Sequence, residues 1–184
     1  MPIATLVRDV PEATQRRVRE RYADDVRQLS AVGFTEYCFY AELLRPYSLI
    51  RNFPMVALMR MQREVISRYP RLRAAGSYIL MRHDSPPTIA LPMGMGLKLY
   101  TGFTDRFVLV SANFRSYAIP ESDPLLQKHG DAVSVEEAWD LHRRRAEDNV
   151  GLGRTFREAS YEHFVEMSEI EENAVLPPKG RIAR

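Results

Sequence analysis

Residues 97–112 carry the pattern that most restricts this chain. Leu97, Leu99, Thr101 and Phe103 alternate with Lys98, Tyr100 and Gly102; Thr104-Asp105-Arg106 then turns into the apolar run Phe107-Val-Leu-Val-Ser-Ala112. A period of two, a short polar turn and a second β-rich run predict a hairpin with one strand half-buried. A hairpin needs more strands or a helix against it to be stable, so this stretch commits the chain to an antiparallel sheet. Further strands are expected at 77–82 and 88–91, joined by the turn chemistry of His83-Asp84-Ser85-Pro86-Pro87. Pro92 to Gly96 interrupts before the hairpin begins. The stretch 35–44 also alternates, with Tyr37, Phe39, Ala41 and Leu43 on one face and Glu36, Cys38, Tyr40 and Glu42 on the other.

Helical spacing flanks these strands. Val18, Tyr22, Val26, Leu29 and Val32 predict one helix over 11–32, opened by an Asp9…Glu12 capping box with Pro11 in its first turn and stopped by Gly33. Asn52 and Pro54 open a second helix over 53–69, whose first two turns are apolar nearly all round. Ser134-Val-Glu-Glu137 is a capping box for a third helix, running through Trp139 and His142 to about 148, with Gly151 and Gly153 beyond it. Thr155-Phe-Arg-Glu158 has the same form and opens an acidic helix over 155–173 bearing Glu158, Glu162, Glu166, Glu169, Glu171 and Glu172. The expected architecture is α+β: one domain over 1–176 with an antiparallel sheet of four or five strands. N- and C-terminal helices pack on one face, the basic apolar helix is inserted after the first strand, and 177–184 forms a basic tail.

Charge is unevenly placed. Residues 43–82 hold eight arginines and a single acid, Glu64, so this block is +7 while the remainder sums to −5 within a total of +2. Inside it lies the most apolar run of the chain, Phe53-Pro-Met-Val-Ala-Leu-Met59. Apolar bulk flanked by guanidinium groups suits an anionic surface. Arg51, Phe53, Met55, Val56, Leu58, Met59, Arg60 and Arg63 are therefore the expected interaction surface. The partner it fits is an anionic membrane or an acidic protein face. The six glutamates of 155–173 offer a competing partner within the chain or in a second copy, which would make a homo-oligomer. Nucleic acid is the weaker fit, because no RNA- or DNA-binding motif accompanies the arginines. A single cysteine, Cys38, the absence of a charged-then-apolar leader, and no apolar stretch near the ~20 residues a spanning helix needs place the expected protein in the cytoplasm.

Catalytic chemistry finds little purchase. Gly94-Met-Gly96 is followed by Leu99 where a dinucleotide fingerprint needs its third glycine, and it leads into a strand. Gly151-Leu-Gly153 meets Phe156 at the same point and reads as a helix–helix turn. His83, His129, His142 and His163 form no ligand-spaced pair, so neither metal nor cofactor is expected. The one enzyme-like or ligand-binding alternative is a pocket between the sheet and the helix of Trp139, lined by Tyr100, Phe103, Phe107 and Trp139 with a buried titratable group facing in.

Overall fold

The computed structural model describes residues 4–7, 10–44, 77–94, 96–113, 124–130 and 132–175. The protein is α+β. Its strands are β1 (Ala4–Val7), β2 (Thr35–Leu44), β3 (Ser77–Asp84), β4 (Pro87–Pro92), β5 (Leu97–Gly102), β6 (Val108–Ala112) and β7 (Leu126–His129). They lie in sequence order in one seven-stranded sheet. Every neighbouring pair is antiparallel except β6 and β7, which run parallel. The expectation of four or five strands is corrected by the two edges. β1 and β7 are four residues each, too short for an alternating pattern to stand out.

Four helices are found among the described residues: α1 (Glu12–Arg21), α2 (Ala23–Ala31), α3 (Val135–Gly151) and α4 (Tyr161–Val175). The single N-terminal helix expected over 11–32 is broken at Tyr22, which leaves helical geometry at φ −104° and ψ 18°. Tyr22 is buried, and its ring stacks 6.4 Å from Tyr78 of β3. Pro11 is the N-cap of α1 without a side-chain cap bond; Gln15 Nε2 instead donates to the Val10 carbonyl at 2.8 Å. Gly33 ends α2 at φ +96°, the left-handed region where a Cβ is disfavoured.

The cap expected at Ser134 forms, with Ser134 Oγ accepting from Glu137 N at 3.1 Å; the return bond of Glu137 Oε2 goes to Val133 N, one residue before the cap, at 2.8 Å. The box expected at Thr155 does not form, and α4 starts at Tyr161. Its first turn is closed by Ser160 Oγ, which accepts from His163 N at 3.2 Å. The reason is packing. Phe156 is drawn onto Phe103 at 5.4 Å, and the extended backbone beside it bonds the β5–β6 turn through Thr104 N to Thr155 O and Arg157 N to Gly102 O, each at 2.9 Å.

Helices cover both faces of the sheet, not one. Phe39, Ile79, Met81, Leu97 and Leu99 pack with Val18, Tyr22, Leu29, Val135 and Trp139 of α1, α2 and α3. Tyr40, Leu80, Ile89, Tyr100 and Val110 pack with Tyr161, Phe164 and Met167 of α4. Fully burying each such side chain stabilises by roughly 1.5–3 kcal/mol. A register shift between Glu36 and Cys38 moves Tyr37 to the α4 face, against simple alternation. There its hydroxyl accepts from Tyr161 N at 3.2 Å and fixes the start of α4. At the far end of β5, a Cβ on Gly102 would lie 3.1 Å from Met167 Sδ, so glycine lets α4 approach.

Candidate functional site

The expected interaction surface of Arg51, Phe53, Met55, Val56, Leu58, Met59, Arg60 and Arg63, and the helix over 53–69 that was to carry it, lie outside the described residues. The anchorage of that segment is described. β2 and β3 are antiparallel neighbours with Ala41 opposite Ser77, so the connection leaves and re-enters at one end of this pair. Register fixes what shares that end: the turn after Pro92, the start of β5 at Leu97, and the last residues of β6 and β7, with Lys98 opposite Ala112 and Ser111 beside His129.

The pocket expected around Tyr100, Phe103, Phe107 and Trp139 is not assembled. Neighbouring residues of a strand point to opposite faces, and Tyr100 accordingly sits in the α4 layer, 5.5 Å from Phe164. Trp139 is in the other layer, 4.9 Å from Phe34 and 4.5 Å from His83. Phe103 and Phe107 form a third cluster with Leu109 and Ala146. Leu97, Leu99 and Thr101 face α3 while Lys98 and Tyr100 face α4, as the alternation of 97–103 predicts, so Tyr100 and Trp139 are on opposite faces of the sheet.

A buried titratable group does face the sheet beneath α3, within a closed hydrogen-bond chain. Thr88 Oγ1 and Thr101 Oγ1 are 2.8 Å apart, Thr101 Oγ1 lies 2.9 Å from His142 Nε2, and His142 Nδ1 lies 2.9 Å from Ser111 Oγ. Burial, reinforced by Arg145 and His129, pushes the His142 imidazole down to about 3, so it is neutral at physiological pH. A serine, a histidine and a threonine in a row resemble a nucleophile and its base. This row is sealed: Ser111, Thr101 and Thr88 are as buried as His142, and both ring nitrogens are engaged. It ties α3 to three strands.

The α4 layer holds a charged counterpart that the sequence reading missed. Glu171 accepts from Lys98 Nζ at 2.9 and 3.0 Å, from Lys128 Nζ, and from Tyr100 Oη at 2.6 Å. Side-chain exposures are 6% for Glu171, 6% for Lys128 and 18% for Lys98. Desolvation alone would push the Glu171 carboxyl up; Lys98, Lys128 and the Tyr100 hydroxyl together outweigh it and hold the group below the usual carboxylate range. A signal was present. Of 26 basic residues only Lys98, Lys128 and Lys179 are lysine, and two of the three converge here.

Toward the opposite end of α4, Phe103, Phe107, Met167 and Ile170 line a shallow recess with Arg106, Arg157 and Glu166 beside them. Glu166 accepts from Arg157 at 2.8 Å and pairs with Arg106 at 3.3 Å. The Arg157 hydrogen bond, more than desolvation opposes it, holds the Glu166 carboxyl low. Among the described residues no group of three or more His, Cys, Asp or Glu is placed to hold a metal ion. Likewise no described helix is long and apolar enough to cross a membrane. No family model, curated protein or solved structure matches the chain.

Proposed function

We propose that the protein is a non-catalytic interaction module that docks through the β2–β3 connection onto an anionic membrane surface or an acidic face of a larger assembly. The observation that carries this reading is the connection's composition. Between Leu44 and Ser77 it holds seven arginines, one glutamate and the apolar run 53–59. The position of the segment adds support. It joins β2 to β3, one antiparallel pair of a sheet whose two faces each carry helices among the described residues. Each arginine near an anionic bilayer contributes on the order of 1 kcal/mol, so Arg51, Arg60 and Arg63 give only weak attachment without insertion of Phe53, Leu58 and Met59.

Sedimentation with vesicles tests the membrane form. The expected result is binding to phosphatidylglycerol vesicles at low salt, much reduced at 0.5 M salt (about a 4 Å screening length), and absent on phosphatidylcholine. Replacing Arg51, Arg60 and Arg63 by glutamine should abolish it. Loss of binding to both vesicle types at low salt by folded wild-type protein would overturn the membrane form and direct the search to an acidic protein.

A further inference from the structure

We propose that Lys98 and Lys128, brought together by Glu171, form a binding site for a phosphate group, with Glu171 as the anion it competes against. Three observations converge on it. The first is charge. Two ammonium groups share one carboxylate beneath α4, and Lys128 and Glu171 are each more than nine-tenths buried. Among the described residues this leaves one positive charge in excess where solvent screens it poorly, and burying a charge without its counter-charge costs several kcal/mol. A second anion removes that cost.

The second observation is the donor inventory. Each ammonium has three N–H groups. Lys98 contacts both Glu171 oxygens and Lys128 contacts one, so three donors remain without a partner among the described residues. Glu171 cannot take them, because it already accepts from Tyr100 as well. Three donors from two point charges suit a tetrahedral oxyanion, which offers several acceptors in different directions. The third is residue choice. This chain uses arginine nearly everywhere, yet both positions here are lysine. A compact ammonium fits under a helix where a planar guanidinium does not. Access is from the side of Lys98, the more exposed of the pair, next to the turn that follows Pro92. The inference stands apart from the docking proposal, since a soluble phosphate needs none of the arginines of the β2–β3 connection.

Two sources of the group are distinguishable: free phosphate and the monoester headgroup of a lipid. Thermal melting in inorganic phosphate against chloride at equal ionic strength is the first measurement. Wild-type protein should be stabilised by phosphate, increasingly with its concentration, as a ligand specific to the native state requires. Lys128→Met should abolish the effect. Lys98→Met, at the more accessible lysine, is the second variant should the first fail to fold. Glu171→Gln removes the competing charge and should tighten phosphate binding at least tenfold, read by calorimetry. A lipid source adds a preference for phosphatidic acid vesicles over phosphatidylglycerol vesicles of matched surface charge, lost in the same lysine variants. A phosphate effect without that preference identifies free phosphate. Superimposed phosphate and chloride melts for both wild type and Glu171→Gln, or a phosphate effect that survives Lys98→Met, would overturn the proposal.

Discussion

Helix α4 solves one charge problem twice, five residues apart, in opposite ways. Glu166 lies between Arg106 and Arg157, and Glu171 lies between Lys98 and Lys128; each is one carboxylate facing two cations. The first group is 32% exposed with an arginine at 64%, whereas the second is 6% exposed with a lysine at 6%. Water and salt stabilise the surplus charge beside Glu166, so its geometry can loosen at little cost. Beneath the helix neither does so to the same degree, and Tyr100 is recruited as a further donor. Identical charge counts therefore carry different energies, set by burial and not by the number of ion pairs.

The largest test of that contrast is Glu171→Leu. It strands two ammonium groups under α4, and breaking a buried pair by removing one partner costs about 3–5 kcal/mol. Urea denaturation followed by circular dichroism should register a loss of that size. A loss below about 1 kcal/mol would mean that both lysines swing into solvent, and the distinction between the two ends of α4 would fail. The triple change of Lys98, Lys128 and Glu171 to apolar residues should recover most of the loss, because charge and counter-charge leave together.

His142 separates burial from charge. Its chain to Ser111, Thr101 and Thr88 is as buried as Glu171 but neutral. His142→Phe leaves Ser111 without its bond while Thr101 keeps Thr88, so the expected cost is smaller, about 1–3 kcal/mol for an unsatisfied buried hydroxyl.

Acid titration distinguishes the two faces independently. The His142 pKa is depressed from 6.5 to about 3, so in that window the unfolded chain binds the proton and the native protein does not. His142 then lowers stability as pH falls from 6.5 toward 3, by about 1.4 kcal/mol per pH unit where the proton difference is complete. Glu171, whose pKa is also lowered, contributes stability above its unfolded value of 4.5 that is lost as pH falls through and below it. Denaturation between pH 6.5 and 5 should thus respond to His142→Phe and be indifferent to Glu171→Leu. A wild-type and a His142→Phe profile that run parallel there would contradict a neutral His142.

How far the sequence foretold these two ends depends on the range of the signal. The β5–β6 hairpin, the Ser134 cap and the Gly33 stop are written in residues within a few positions of each other, and all appear where expected. The start of α4 was misplaced because Thr155 and Glu158 satisfy a local pattern that the Phe156–Phe103 contact overrides. β7 was missed because Leu126-Gln-Lys-His is short and mostly polar, and it is a strand only through its parallel partner β6. Lys98 and Glu171 are 73 positions apart. Only the rarity of lysine hinted that these residues had a shared task. The bond from Tyr161 N to Tyr37 Oη spans 124 positions, and the bulge that puts Tyr37 on the α4 face left no mark in the local alternation.

The smallest expected effect belongs to Glu166. Glu166→Ala removes the partner of Arg106 and Arg157, yet both guanidinium groups remain in contact with water, Arg106 most of all. Exposed pairs are worth about 0–1 kcal/mol, so urea denaturation should show a change within that range. Salt provides the sharper discrimination. Raising ionic strength to 1 M shortens the screening length to about 3 Å and should erase whatever difference exists between wild type and Glu166→Ala. The deficit of Glu171→Leu should largely persist in a chloride salt, because Lys128 is 6% exposed and Lys98 18%, so diffuse screening acts on them far less than on Arg106 at 64%. Equal salt sensitivity of the two variants would place Glu171 in effective contact with solvent, and the reading of α4 as one helix with a screened and an unscreened end would have to be given up.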